Sequence, residues 1–536
     1  MSQSQHPKIV TRAHAVTSER PSIFTSLWPL LIGLVTVAAL FAWEGHKGLN
    51  LGDEGYLWYG VQRVMAGEIP IRDFQAYDPG RYFWSGWLMR LTGREGIIAL
   101  RYTVIIWQAA ALAAALGWLA VVNRRSNFAF VLICALTLVA WMVPRHKLFD
   151  IAISIALVCA FTSWLKKPSL GNHLLAGAFV GLAAYFGRNH GIYGVMAAAG
   201  IFAYLALRCE DWSLWRRGLA MFIVGGFLGY TPMFVTLALA PGFTPAFIDS
   251  IRFLFEVKAT NLPLPVPWPW LTHVSGAPLA DALRGITIGL FFVGITVFAF
   301  LSVIYVLACR WRKRPISPLV VACAFCSVPY AHYAFSRADS WHLAQGIFPA
   351  LIGLLAVAAS MKTSSRLAIC APLCALSLFA TMPMHPGWQC LEQERCAKLT
   401  SGSDTLWVDK QAASDVNLLH RLRDDFAPNG QSFFVTPFQP GAYAVLGAKA
   451  PTWEIYTAWP RDERFQNEEI ARLYAAKPGF LVISDAALDG REELRFRNTH
   501  PLIDRYVHDN YLPVNGYAQD PAYRIYKAKD TMRSSH

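Results

Sequence analysis

Between residues 24 and 383 the chain is a succession of apolar stretches, most of them long enough to cross a bilayer as a helix. In lipid, every backbone polar group must be satisfied within the protein, so such stretches fold as membrane helices. Eleven are read: 24–43, 97–121, 127–143, 149–165, 173–187, 191–207, 219–240, 285–308, 318–335, 343–360 and 367–383. Shorter ones such as 173–187 would be tilted or lie partly outside the membrane. Of 536 residues, 54% are hydrophobic and only 15% charged, which excludes a disordered chain and argues against an ordinary soluble enzyme.

The net charge of +13 would by itself suggest nucleic acid, but the positions of the charges explain it better. The basic clusters are Lys8, Arg12 and Arg20; Arg124 and Arg125; Lys166 and Lys167; Arg208, Arg216 and Arg217; Arg310, Arg312, Lys313 and Arg314; and Lys362 and Arg366. With eleven spans all six fall on the side of the N-terminus, which the positive-inside rule makes the cytoplasm. No cleavable signal is expected, because the first 20 residues are polar and the span after them is long enough to stay as an anchor.

This divides the chain into a cytoplasmic segment 1–23, a membrane domain 24–383 with an outer loop 44–96, and a soluble tail 384–536 on the outer side. The outer loop is too long for a turn, and residues 61–65 and 82–88 suggest short amphipathic helices on the membrane surface. A second outer loop, 241–284, contains LPLPVPWPW at 262–270, with helix-breaking prolines and interfacial tryptophans. The tail reads as a small α/β domain, with strands at 432–438, 479–484 and 523–528 and helices at 411–426 and 468–476. Eight of the ten cysteines lie in or beside apolar spans and pack as small hydrophobes. Cys390 and Cys396 sit in a polar segment; an oxidising compartment would pair them, but their spacing alone does not decide it.

Four polar motifs interrupt the apolar sequence, all on the outer side. The outer loop holds Asp53, Glu54, Asp73, Asp78 and Arg81; PRHKLFD holds Arg145, His146, Lys147 and Asp150; GRNHG holds Arg188, Asn189 and His190; SRADSWH holds Arg337, Asp339 and His342. Acidic groups near lipid are costly and tend to be functional. A carboxylate there can serve as general base toward a hydroxyl. Cations on the outer side run against the positive-inside bias. An anionic ligand such as a lipid phosphate would account for them, since a guanidinium can bond two oxygens at once.

Each motif also has a plainer reading. Asp53 and Glu54 could be a solvated helix start or salt-bridge partners, and Arg145, His146 and Lys147 could snorkel to membrane lipid headgroups. Asp339 and His342, three apart, share a helix face and could be a satisfied pair, a sugar contact or metal ligands. Asp73 and Asp78 carry the weakest signals. A divalent metal is not required by the sequence: Asp339 with His342, or Glu54 with His146, could supply ligands, but neither spacing is diagnostic. No GxxxxGK[ST], GxSxG, HExxH or paired CxxC motif is present. The spans carry few charges at mid-depth, against an ion-coupled pump.

The first outer loop opens with DEGYLWYG (53–60) and continues as GEIPIRDFQAYDPGRYFW (67–84); a later span ends in GLAAYFGRN (181–189). In these motifs residues 25–380 resemble the GT-C superfamily of integral-membrane glycosyltransferases, above all the family 39-like group of bacterial protein mannosyltransferases and aminoarabinose transferases. The resemblance implies a GT-C-like helix bundle in a bacterial inner membrane, a polyprenyl-phosphate-linked sugar as donor, and inverting transfer on the outer face. It implies an acidic first-loop residue as base: Asp53, with Glu54 second. Arg-Asn-His at 188–190 departs from the Thr-Lys of many relatives. The Trp-Trp-Asp signature of oligosaccharyltransferases is absent, against transfer of a whole glycan to asparagine.

The expected function is therefore transfer of one sugar to a hydroxyl of a glycan, lipid or protein. Arg81, Arg145, His146, Lys147, Asp150, Arg188, Asn189, His190, Arg337, Asp339 and His342 would hold the donor, and Asp73 and Asp78 the acceptor. The alternatives are a transporter or flippase for a lipid-linked sugar, and an outer-face polysaccharide ligase with a diphosphate donor. A transporter should carry polar groups near the midplane, often with repeats.

Overall fold

The computed structural model describes residues 23–122, 127–258, 261–272, 276–517 and 520–529. Lys8, Arg12, Arg20, Arg124 and Arg125, used above for orientation, lie outside the described residues.

Helix α1 (Ile23–Glu44) leads into the outer loop, which contains α2 (Asp53–Met65) and α3 (Gly80–Thr92). The bundle continues with α4 (Ile97–Val122), α5 (Phe128–Ala140), α6 (Leu148–Lys166), α7 (Leu170–Phe186), α8 (Arg188–Ala206), α9 (Trp212–Gly229) and α10 (Thr231–Leu239). Helix α11 (Phe243–Val257) lies in the second outer loop and precedes α12 (Leu279–Trp311), α13 (Pro318–Ser336), α14 (Ser340–Gly346), α15 (Phe348–Ala359) and α16 (Thr363–Thr381). Each of the eleven expected stretches coincides with a helix or a bent pair. Six described helices are long and apolar enough to cross a membrane, and eight spans result if each bent pair counts as one. The chain is thus a multi-pass membrane protein.

The bent pairs have a local cause. Helices α9 and α10 meet at 48° just before Pro232, and α14 and α15 at 57° just before Pro349. Proline lacks the amide that would continue the ladder and crowds the preceding turn. Helices α7 and α9 approach through small residues: a side chain at Gly177 or Gly181 would strike the backbone carbonyl of Phe222 or Gly226. Such contacts let dispersion forces hold helices together where lipid gives no hydrophobic drive.

The outer loop departs from expectation. Asp53 and Glu54 do not sit in an open loop but form the first turn of α2, where carboxylates complement the helix dipole. Nor does α2 lie free on the membrane surface, whereas α3 exposes Trp87 and Leu91. Helix α2 is buried between the bundle and the tail: Leu57 lines a cavity with Phe41, Leu100 and Val104, the Trp58 indole donates to Glu95 O at 2.9 Å, and Tyr59 packs against Tyr443 of the tail.

The tail begins with α17 (Pro386–Gln389) and a Cys390–Cys396 disulfide, then a hairpin of β1 (Cys396–Ser401) and β2 (Asp404–Asp409) that the sequence reading missed. Helix α18 (Lys410–Phe426), β3 (Phe433–Thr436), α19 (Gly441–Leu446), α20 (Glu463–Ala476) and β4 (Phe480–Ser484) follow. The chain closes with α21 (Phe496–Thr499), α22 (Pro501–Asn510), β5 (Tyr511–Pro513) and β6 (Tyr523–Ala528). The second sheet has order β3-β4-β6-β5, with β3 and β4 parallel and the other pairs antiparallel. Strand periodicity divides its side chains between two faces. Phe434, Leu481 and Ile483 pack with Leu473, Ile503 and Val507, whereas Phe433, Val435 and Val482 join the main core.

Backbone bonds sew the tail to the outer loop. The Gly48 amide donates to Trp407 O at 2.7 Å, the Trp407 amide to His46 O at 2.9 Å, and the Gly441 amide to Leu51 O at 2.7 Å. Gly55 of α2 meets Gly441 so closely that a side chain at Gly55 would collide with the Gly441 backbone, and one at Gly441 would collide with the backbone of Leu51.

Candidate functional site

The two adjacent carboxylates occupy different surroundings. Glu54 is buried and meets Arg101 fork to fork, with Nε–Oε1 and Nη2–Oε2 both at 2.8 Å. Burial pushes the Glu54 carboxyl up, but the charge and hydrogen bonds of Arg101 outweigh it and hold the group at about 2. Arg101 also donates to the carbonyls of Gly45 (2.8 Å) and Gly48 (2.7 Å), fixing the turn that delivers α2. Asp53 keeps 43% of its side chain exposed, and its nearest cationic or imidazole neighbour is His146, with Nε2 at 3.9 Å from Oδ2. Its amide is capped by Asn50 Oδ1 at 2.9 Å.

Opposite α2 lies the short 3₁₀ turn Arg145–Lys147 that opens α6. Arg145 is held by the carbonyls of Glu44 (2.8 Å) and Lys47 (2.6 Å) and stands 3.7 Å from Glu54. Lys147 differs from the other cations. Among the described residues no carboxylate lies within ion-pair distance of its ammonium, which rests 4.2 Å from the centre of the Tyr77 ring and feels the charges of Asp150 and Asp53. The Arg81 guanidinium lies 4.8 Å from the same ring.

The remaining residues form satisfied clusters around this centre. Asp150 accepts both arms of Arg81 at 3.1 Å and His190 Nε2 at 2.7 Å, while His190 Nδ1 lies 2.8 Å from the Tyr330 hydroxyl. Asp78 accepts the Arg188 amide at 2.7 Å and its Nε at 2.9 Å. Arg188 also reaches Ser250 at 3.2 Å. Asn189 is half-buried and not among these pairs.

Arg337 grips the tail. It donates to Asp489 at 2.8 and 2.6 Å and to Asp339 at 3.0 Å. Asp339 caps α14, accepting the His342 amide at 2.8 Å, with His342 Nδ1 2.9 Å away. Asp73 is held by its neighbour Arg72 and by the Ile69 amide.

The structure therefore brings Asp53, Glu54, Arg145, His146 and Lys147 into one cluster. Arg81, Asp150 and His190 adjoin it through Tyr77. Arg337, Asp339, His342 and Asp73 are engaged elsewhere. Among the described residues no group of three or more His, Cys, Asp or Glu could hold a metal ion; of the candidate metal pairs, Glu54 is committed to Arg101, and Asp339 and His342 are bonded to each other, with Asp339 also accepting from Arg337. Sequence reasoning missed Arg101, an isolated charge early in an apolar span, although its cost in lipid was a usable signal. It also missed Tyr77, which nothing in the local sequence distinguishes from other aromatics.

No family model and no curated protein matches the chain. Among solved structures it is similar to ArnT from Cupriavidus metallidurans in the apo state, with 13% identity, a TM-score of 0.53, and coverage of 95% of this chain and 99% of that one. The same protein bound to undecaprenyl phosphate gives 15% identity, a TM-score of 0.53, and coverage of 94% and 98%. The GT-C resemblance read from the outer-loop motifs is borne out at the level of the fold: an ArnT-like polytopic helix bundle with a small strand-containing tail.

Proposed function

We propose that this chain is a membrane glycosyltransferase that moves one sugar from a polyprenyl-phosphate donor to a hydroxyl acceptor, with Asp53 as general base. The observation that carries this reading is the contrast at α2: a solvent-reachable Asp53 lies within electrostatic reach of Lys147, a cation with no carboxylate at ion-pair distance among the described residues, while Glu54 is locked to Arg101. A base must be free to receive a proton, and a phosphate site must offer a charge not already neutralised.

The acceptor hydroxyl gives its proton to an Asp53 oxygen as its own oxygen forms a bond to the anomeric carbon. The bond from that carbon to the phosphate oxygen breaks, and its electron pair leaves with the polyprenyl phosphate. Attack opposite the leaving group inverts the anomeric centre. Lys147, backed by Arg145, compensates the charge left on the phosphate.

Two features support a lipid donor. ArnT, solved with undecaprenyl phosphate, shares the fold. An apolar groove between α7, α8 and α9, lined by Val180, Ala184, Val195, Phe227 and Tyr230, suits a polyprenyl tail. At Tyr230 it approaches the Asp78–Arg188 pair.

Orientation follows from the helix ends. Helix α6 opens at the cluster and closes at Lys166 and Lys167. Helix α8 opens at Arg188 and closes near Arg208, where Arg310 bonds Leu207 O at 2.8 Å. By the positive-inside rule we take the basic ends as cytoplasmic and the cluster and the tail as facing the outer side, which under the GT-C resemblance is the periplasmic face of a bacterial inner membrane.

The test is release of polyprenyl phosphate by purified protein from a panel of radiolabelled polyprenyl-phosphate sugars. Release from one donor, dependent on an acceptor, supports the reading. Tight binding of every intact donor without release contradicts it.

A further inference from the structure

An aromatic ring, rather than an acid, places the ammonium of Lys147. That ammonium rests 4.2 Å from the centre of the Tyr77 ring. The ring is itself held by its neighbours. The Tyr77 amide donates to the hydroxyl of Tyr82, a fully buried residue, at 3.1 Å. The buried Tyr56 ring of α2 meets the Tyr77 ring at 68°, with 4.9 Å between centres. The Arg81 guanidinium lies 4.8 Å from the same ring centre. Arg81 is anchored elsewhere: it bonds both oxygens of Asp150 at 3.1 Å and the Phe186 carbonyl at 2.8 and 3.2 Å.

Two cations therefore share one ring, and only one of them is neutralised. Asp150 compensates Arg81, whereas no carboxylate among the described residues lies within ion-pair distance of Lys147. The difference has a chemical use. A carboxylate partner would fix the lysine and cancel its charge at the same time. An aromatic face attracts the ammonium through the ring quadrupole and leaves the charge whole. Lysine is a point charge on a flexible four-carbon stem, so it needs such a support to meet a phosphate in one place. Preorganised charge is what stabilises a leaving phosphate. We infer that Tyr77 is a positioning residue for the donor phosphate: its ring holds the Lys147 ammonium, without neutralising it, where the phosphate of the polyprenyl-phosphate sugar binds. The inference deepens the proposed function and rests on Lys147 being a phosphate contact.

The experiment measures binding of free polyprenyl phosphate in detergent, and donor KM with the polyprenyl-phosphate sugar that wild type turns over fastest. The proteins are wild type, Tyr77→Leu, Tyr77→Phe, Lys147→Met and the Tyr77→Leu, Lys147→Met double variant. Tyr77→Leu removes the aromatic face. Polyprenyl phosphate affinity should fall and donor KM rise by about three- to thirtyfold, the range of a cation–π contact, and the conservative Tyr77→Phe should rescue both. In the Lys147→Met background Tyr77→Leu should add no further loss, because the two residues act as a unit. A second series places phenylalanine at position 77 with its ring progressively fluorinated, which keeps the shape and drains negative charge from the face. Affinity should fall stepwise along this series and stay flat in the Lys147→Met background. If Tyr77→Leu melts below wild type, the fluorinated series decides alone. Wild-type affinity in a stably folded Tyr77→Leu, a flat fluorinated series, or an equal loss in both backgrounds overturns the inference. Unchanged affinity in Lys147→Met overturns the phosphate role of Lys147, on which the inference rests. Failure of wild type to turn over any donor overturns the proposed function instead, while phosphate binding still reads the role of the ring.

Discussion

Glu54 and Arg101 face each other with both arms at 2.8 Å, and this pair decides which of two adjacent carboxylates is free to react. Successive helix positions point about 100° apart, so one carboxylate turns into the bundle while the next stays at the surface. The inward group finds a guanidinium on α4 and becomes structural. The outward group keeps its oxygens.

Glu54→Gln should therefore act on stability. Removing one partner of a buried pair leaves Arg101 uncompensated, at a cost of about 3–5 kcal/mol. The Glu54 carboxyl is held at about 2 against an ordinary value of 4.5. A depressed pKa contributes stability that is present above about 4.5 and lost as pH falls toward 2. Thermal melts of wild type from pH 6 to pH 2 should show this loss. In Glu54→Gln the contribution is already absent at pH 6. An unchanged melting temperature for the variant would contradict the role.

Lys147→Met should act on donor binding and not on folding. The substitution keeps an apolar stem on the Tyr77 ring and leaves no carboxylate without its partner. Donor KM should rise about ten- to a hundredfold, the range for a hydrogen bond to a charged group. The melting temperature should not fall. Inhibition by free polyprenyl phosphate should weaken in parallel.

Arg337 and Asp489 join the membrane bundle to the tail, with 19% and 12% of their side chains exposed. A double-mutant cycle with Arg337→Ala and Asp489→Ala should give a coupling of roughly 1–3 kcal/mol in thermal stability. Hydrogen exchange around residues 485–495 should accelerate in either single variant. Independent effects would mean that the pair does not dock the tail.

Glu469 carries a pH signature of opposite sign. Burial pushes its carboxyl up, Arg472 opposes this, and Glu454 adds to it, leaving the group at about 7. A carboxyl raised above its ordinary 4.5 contributes stability that is full below about 4.5 and lost as pH rises through about 7. Relative to Glu469→Gln, wild type should lose melting temperature between pH 5 and pH 8. Because Glu469 accepts the Trp453 amide at 2.9 Å, loosening should show first at Trp453, whose indole donates to Ile71 O of the outer loop at 3.0 Å.

The helix bundle was legible because lipid imposes a simple demand on composition, and apolar length alone marks where helices run. The Asp53–Glu54 pair was legible as polar chemistry at a membrane boundary. Which of the two is free was not, because the answer depends on Arg101, 47 residues later and inside an apolar span. Arg337 looked like a donor contact, and its Asp489 partner, 152 residues away, has no local mark. The β1–β2 hairpin was missed because Lys398, Thr400 and Trp407 face outward, although Gly402 at φ +57° supplies the left-handed turn that joins the strands. The docking of the tail on the outer loop could not be read at all: Gln75 Oε1 accepts the Tyr456 amide at 2.8 Å across two segments with no local mark.

The most direct test is single-turnover release of polyprenyl phosphate by wild type and Asp53→Asn, side by side in detergent, with melting temperature and donor binding measured on both. The expected result is a rate about 10²–10⁴-fold lower for Asp53→Asn, with fold and donor affinity intact. A variant that releases lipid phosphate as fast as wild type would contradict the assignment of the base and, with it, the reading of the whole cluster.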